Sequence, residues 1–230
     1  MSATEFIAPP CLSELGYVYQ DEHLLLLEKP SGLLSVPGQN PLNSDSVLLR
    51  LKQRYPQARL VHRLDFGTSG LMIACLTDHA IAHINRQFQL RQVQKEYTAV
   101  LAGHLQDDDG VIDLPIARDV FPVQKICVET GKQAQSAYQV LARDVSSNGI
   151  PITRVHYKPL TGRTHQLRVH SKAIGHAILG CELYNAEVES NGRTVDTESL
   201  SERLLLHAGS LSFEHPESGE RVVFESDCPF

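Results

Sequence analysis

No stretch of this chain approaches the roughly 20 apolar residues a helix needs to cross a bilayer. The N-terminus, with Glu5 early and Pro9-Pro10 interrupting it, lacks a charged signal-peptide head. Both absences point to a cytoplasmic protein with no membrane partner. Paired cysteines are missing too: Cys11, Cys75, Cys127, Cys181 and Cys228 are odd in number, widely spaced and form no CxxC, so reduced structural thiols are expected. Repeats and low-complexity tracts are absent. Metal-site spacing is also lacking. Eleven histidines and His79-x3-His83 invite a metal hydrolase, yet no HExxH or third ligand follows. Asp107-Asp108-Asp109-Gly110 reads as a turn without EF-hand spacing. No metal is expected.

Positive charge is scarce overall. A net charge of −6 is unusual for a nucleic-acid binder, whose phosphate contacts come from Lys and Arg. Its distribution is uneven, however. Residues 50–100 carry eight Lys or Arg against three acids, and residues 182–230 carry eleven acids against three arginines. A basic functional face backed by an acidic surface reconciles the two.

What is present suits a self-contained enzyme. At 230 residues and 42% hydrophobic, the chain can bury a sizeable core as one large domain or two tightly fused lobes. Apolar patterning predicts strands at 24–27, 60–64, 71–76, 94–103, 133–142, 152–158, 204–213 and 221–225. Helices are expected at 45–54, 78–92 and from an N-cap at Thr164 to Gly175; residues 186–202 read as a variable polar loop. Many strands with few, segregated helices suggest α+β with a mostly antiparallel sheet.

Two clusters carry chemistry. His62-Arg63-Leu64-Asp65-Phe66-Gly67-Thr68-Ser69-Gly70-Leu71 places a carboxylate in a loop between two expected strands, beside an arginine and a histidine. A surface Arg63–Asp65 ion pair and a glycine turn explain the same pattern equally well. Thr161 to His170 brings Arg163, His165, Arg168 and His170 to a helix start, where amide groups and Arg163 suit a phosphate. Residues 153–176 hold five Lys or Arg and no acid, which a solvated basic face would also explain.

Taken together, these residues resemble the RluA family of pseudouridine synthases. HRLD followed two residues later by TSGL stands here as His62–Leu71. Lys29-Pro30-Ser31-Gly32-Leu33, Lys95-Glu96-Tyr97-Thr98-Ala99 and Gly162–His170 are similar to the family's upstream, tyrosine and arginine elements. Leu206-His207-Ala208 and His215-Pro216 look like further signatures. Phrases outside these motifs, such as Tyr19-Gln20-Asp21-Glu22-His23 and Val128-Glu129-Thr130-Gly131-Lys132, resemble the short dual-specificity branch acting on 23S rRNA and tRNA.

The resemblance implies a central mostly antiparallel mixed sheet with flanking helices and a cleft across it. It also implies uridine-to-pseudouridine isomerisation in RNA without a cofactor. Asp65 would be the catalytic carboxylate, attacking C1′ or abstracting a sugar proton, and Arg168 the arginine paired with it. Tyr97 would be the tyrosine beneath the base, and Arg63 the planar cation filling the stack where the nucleotide flips out. His62 and Thr68, grouped with the RNA site, are expected to shape the loop; Arg163 and His165 are expected to contact RNA. Many relatives carry an S4 domain. Only about 20 residues precede the first expected strand, so an extension at 1–20 and a catalytic domain at 21–230 are anticipated.

One departure is Cys181 in Gly180-Cys181-Glu182-Leu183-Tyr184, where the family commonly has aspartate after the glycine. Two other functions compete with this reading. A silent RNA-binding or RNA-folding protein is disfavoured by the intact Asp65, Tyr97 and Arg168 set, and a glycosidase by the lack of a second carboxylate near Asp65. A monomer without an obligate protein partner is the default. The particular target uridine is not encoded in any motif.

Overall fold

The computed structural model describes residues 6–190 and 193–230. In chain order it opens with β1 (Gly16–Gln20), β2 (Leu24–Lys29), α1 (Val47–Arg54), β3 (Arg59–Leu60), β4 (Ser69–Cys75) and α2 (Asp78–Gln89). Next come β5 (Gln94–Ala102), β6 (Asp109–Asp113), β7 (Ile116–Arg118), β8 (Gln124–Ile126), β9 (Gln135–Val145), β10 (Pro151–Pro159) and α3 (Gln166–Ala173). The chain ends with β11 (Glu187–Ser190), β12 (Arg193–Asp196), a 3₁₀ turn at Thr197–Leu200, β13 (Leu206–Glu214) and β14 (Arg221–Glu225). Strands dominate over a few segregated helices, and the class is α+β.

Two compact units divide the chain. The first holds residues up to Lys95 and Ala208–Pro229; the second holds Glu96–His207 and Phe230. The polypeptide passes from one to the other inside β5 and inside β13.

In the first unit, β2 pairs antiparallel with β1 on one side and β4 on the other, and β13 pairs with β14. Leu24–Leu27 are wholly buried, as a continuous apolar strand requires when both its faces are covered. Leu24 and Leu26 share one face with Leu71, Ile73 and Cys75 of β4, and Ala80 and Ile84 of α2 pack there with Leu211 and Phe213. Each leucine, isoleucine or phenylalanine among them contributes about 1.5–3 kcal/mol by leaving water. Thr77 caps α2 by accepting from the Ala80 amide, and Ser46 caps α1 through the Leu49 amide. Gln87 of α2 completes a strand-like pairing: its side chain donates to Glu214 O at 2.7 Å and accepts from Glu214 N at 2.8 Å. A register shift between Tyr17 and Tyr19 sets these two residues opposite Leu27 and Leu26, neighbours that face opposite sides of β2.

In the second unit, β10 lies between β5 and β9, and β6 pairs with β9, all antiparallel. Alternation sorts the side chains onto two covered faces. Ala99, Leu101, Val155 and Tyr157 join Leu167 and Val169 of α3 in one core; Val100, Ala102 and Leu179 pack with Ile152, Leu205 and Phe230 in the other. Tyr97, Tyr157, Tyr138 and Gly110 stand opposite one another across four strands. A Cβ on Gly110 would lie 2.9 Å from the Tyr138 ring, so a larger residue here would require that ring to shift.

Several expectations need correction. The first strand is β1, not the Leu24 strand; its exposed residues carry little apolar periodicity. The 60–64 strand shrinks to Arg59–Leu60, because residues 61–68 take irregular paths pinned by side chains. Residues 186–202 are not one loop. Apart from 191–192, which lie outside the described residues, they form the β11–β12 hairpin and the 3₁₀ turn.

Candidate active site

In the first unit, the loop carrying Asp65 is held by main-chain contacts from the preceding Lys29–Ser35 segment. Lys29 is fully buried, and its ammonium donates to Pro30 O at 2.9 Å, Leu33 O at 2.7 Å and Phe66 O at 3.1 Å. Ser31 Oγ donates to Gly67 O at 2.7 Å. Ser35 Oγ both donates to Leu64 O at 2.7 Å and accepts from Leu64 N at 3.1 Å. The Gly32 amide adds a second bond to Phe66 O, and the Thr68 amide closes the turn onto Asp65 O. Asp65 is therefore half-buried on a loop whose backbone is gripped on both sides of it.

The neighbours of Asp65 divide by exposure. Arg63 is exposed. Thr68 is buried. His62 points inward: its Nε2 accepts from the Ile73 amide at 2.9 Å, and its ring lies 5.1 Å from that of Phe88. Burial, reinforced by the positive charge of Lys95, pushes its pKa down to about 3, so the ring is neutral with its proton on Nδ1. His62 and Thr68 accordingly hold the loop from inside.

Tyr97 and Arg168 belong to the second unit. Tyr97 lies on β5 opposite Tyr157 and packs partly buried against the core. The Tyr157 hydroxyl bonds Ser171 Oγ at 2.8 Å, and Ser171 in turn donates to Leu167 O, tying α3 to the tyrosine row. Arg168 is only 7% exposed, which rules out a helix-surface charge. Its Nε donates to Cys181 Sγ at 3.3 Å, and its guanidinium lies 5.1 Å from the centre of the Tyr184 ring.

The start of α3 differs from expectation. The N-cap is His165, not Thr164; it has φ +54, a left-handed backbone, and gives no side-chain cap. Its Nδ1 lies 2.7 Å from the Tyr184 hydroxyl, which also accepts from the Gln124 amide at 2.8 Å. Gln166 supplies the missing order. Its Oε1 accepts from Thr161 Oγ1 and the Arg163 amide, and its Nε2 donates to Gln135 O and Ser136 Oγ. The Arg163 amide is thus already used within the protein and does not form part of the expected phosphate cradle. Arg163 Nε donates to Gln133 O at 3.0 Å. His170, fully buried, donates from Nε2 to Leu114 O, and burial depresses its pKa.

Sequence reasoning quoted Lys29 and Ser31 but missed their grip on the loop, and it missed Ser35, Gln166 and Tyr184 as organising residues. Polar residues set among apolar ones within a motif were the available signal, since such groups must find partners once buried.

A family model described as RNA pseudouridylate synthase matches residues 23–173. The dual-specificity RNA pseudouridine synthase RluA of Vibrio vulnificus is 46% identical over 220 residues, covering 95% of this chain and 84% of the relative. Its Escherichia coli K12 counterpart is 42% identical over 224 residues, covering 96% and 97%. The solved human RNA pseudouridylate synthase domain containing 1 superposes with a TM-score of 0.78 at 32% identity, covering 96% of this chain and 86% of its own. The match spans most of the chain, and the protein belongs to the RNA pseudouridylate synthase family.

Proposed function

We propose that this protein isomerises uridine to pseudouridine in stem-loops of both 23S rRNA and tRNA, with Asp65 as the catalytic carboxylate. The family match across residues 23–173, with Asp65 standing in the matched region on a backbone gripped by Lys29, Ser31 and Ser35, is the observation that carries the reading. The reaction breaks the N1–C1′ bond, joins C5 to C1′, moves the C5 proton to solvent and returns a proton to N1. It is redox-neutral, so no cofactor is required. An ionised carboxylate serves either route, by bonding to the cationic anomeric carbon or by removing a sugar proton.

Arg168 is the cation proposed to keep that carboxylate ionised, and Tyr97 the ring proposed to support the base and assist proton transfer. Arg63, exposed and planar, suits the gap left in the stack by a flipped nucleotide. Arg163 and His165 are assigned to RNA contact, with His62 and Thr68 preserving loop shape. The catalytic domain is taken as residues 21–230 with 1–20 as an extension whose last residues, β1, pair with β2 of that domain, acting as a monomer in the cytoplasm. The dual specificity in the printed names of the bacterial relatives supports two RNA classes. No helix among the described residues is long and apolar enough to cross a membrane.

The test is tritium release from C5-labelled uridine in unmodified tRNA and 23S rRNA transcripts, wild type beside Asp65→Asn. Release from both RNAs by wild type alone is expected. Release from one RNA only would remove dual specificity, and release by the variant would remove Asp65.

A further inference from the structure

We propose that Tyr184 and Cys181 are positioning residues that form a cradle for Arg168, and that Tyr184 ties this cradle to the β7–β8 hairpin. The inference rests on the catalytic reading of Arg168 and lies wholly within the second unit.

A buried arginine needs its guanidinium directed by fixed neighbours, since its long side chain otherwise samples many rotamers. Two neighbours direct this one. Cys181, 1% exposed, accepts from Nε, while the Tyr184 ring lies under the guanidinium plane at 5.1 Å. Nε is thereby fixed within the second unit. Sulfur is a weak, neutral acceptor.

Tyr184 does more than stack. Its hydroxyl accepts from the Gln124 amide in β8 and contacts Nδ1 of the left-handed His165. A left-handed non-glycine backbone persists only where neighbours over-determine it. One phenol therefore connects three things: the helix start at His165, the buried Arg168 and a hairpin whose tip exposes Val120 and Phe121. A shift of β8 would be transmitted through the hydroxyl to the ring on which Arg168 rests.

Steady-state tritium release on a tRNA transcript, with thermal melts alongside, tests this in Tyr184→Phe, Tyr184→Leu, Cys181→Ala, Cys181→Ser and Arg168→Gln. Tyr184→Phe keeps the ring and loses the hydroxyl; we expect kcat to fall about tenfold with KM within about twofold. Tyr184→Leu should fall further, and Cys181→Ser should recover most of what Cys181→Ala loses. Adding Tyr184→Leu to Arg168→Gln should cost nothing extra, because the group being positioned is gone. If Arg168→Gln is inactive while Tyr184→Phe and Cys181→Ala keep wild-type kcat, the cradle is overturned and the catalytic reading stands. If Arg168→Gln itself keeps wild-type kcat, the catalytic reading fails and the cradle with it. Losses that merely follow the folded fraction in the melts would also overturn it.

Discussion

Replacing Gly70 by alanine should destabilise the first unit by an amount that can be worked from its backbone. Gly70 has φ +116, and a Cβ there would lie 2.2 Å from Ala208 O and 2.6 Å from Ala208 N. Both atoms are main chain, so no side-chain rotation relieves the overlap. Restoring ordinary contact requires β4 and β13 to separate by roughly an ångström, at the kind of cost seen on overpacking a core, about 1–3 kcal/mol. A φ of +116 lies beyond the left-handed helical well and adds about 1–3 kcal/mol for a residue with a Cβ. The total is about 2–6 kcal/mol, or a melting-temperature loss of about 4–24 °C for a chain of this size. Gly32 is the internal control: its φ is +76, but nothing lies within 4 Å of an added Cβ. Gly32→Ala should therefore show the strain alone, about 1–2 kcal/mol. Because Gly70 stands opposite Lys29 in the β2–β4 register, Gly70→Ala should also loosen the grip on Phe66 O and lower turnover on RNA. Thermal unfolding of the two variants beside wild type decides it. A Gly70→Ala protein as stable as Gly32→Ala would refute the argument from strand contact.

Other outcomes follow from the same geometry. His62 has a folded pKa near 3 against an ordinary value of 6.5, so its contribution is complete above pH 6.5 and is lost as pH falls toward 3. In urea titrations His62→Phe should flatten the stability profile in that window by up to about 1.4 kcal/mol per pH unit, and an unchanged slope would count against the half-buried neutral ring. Gln166→Leu strips four hydrogen bonds from buried surroundings and should cost about 2–4 kcal/mol by chemical denaturation; a loss below about 1 kcal/mol would mean that water replaces them. Tyr157→Phe should cost about 1–2 kcal/mol through the lost Ser171 bond, with little change in KM for RNA.

Helices α1 and α2 and strands β9 and β10 were legible because their apolar spacing is regular within each segment. Exposed or short pieces were not: β1, β7, β8 and the β11–β12 hairpin carry too few alternating apolar residues to register. The α3 cap was misread for a different reason. Thr164 is a favourable cap by residue type, but the Gln166 side chain and the Tyr184 hydroxyl, 19 residues beyond His165, set the backbone there instead. Asp65, Tyr97 and Arg168 were singled out through motif resemblance, which names positions and says nothing of their support. Lys29 was quoted as part of a motif, yet its burial and its bond to Phe66, 37 residues away, are properties of the folded chain alone.

The grip on the Asp65 loop falls on carbonyl oxygens at Leu64, Phe66 and Gly67. A carbonyl is the same group whichever residue supplies it, so the loop's path is encoded mainly by the residues that do the holding. His62–Leu71 transplanted alone into another scaffold would carry the letters of the motif without its shape, whereas Lys29–Ser35 moved with it would carry both. For protein engineering the transferable module is this discontinuous pair of segments.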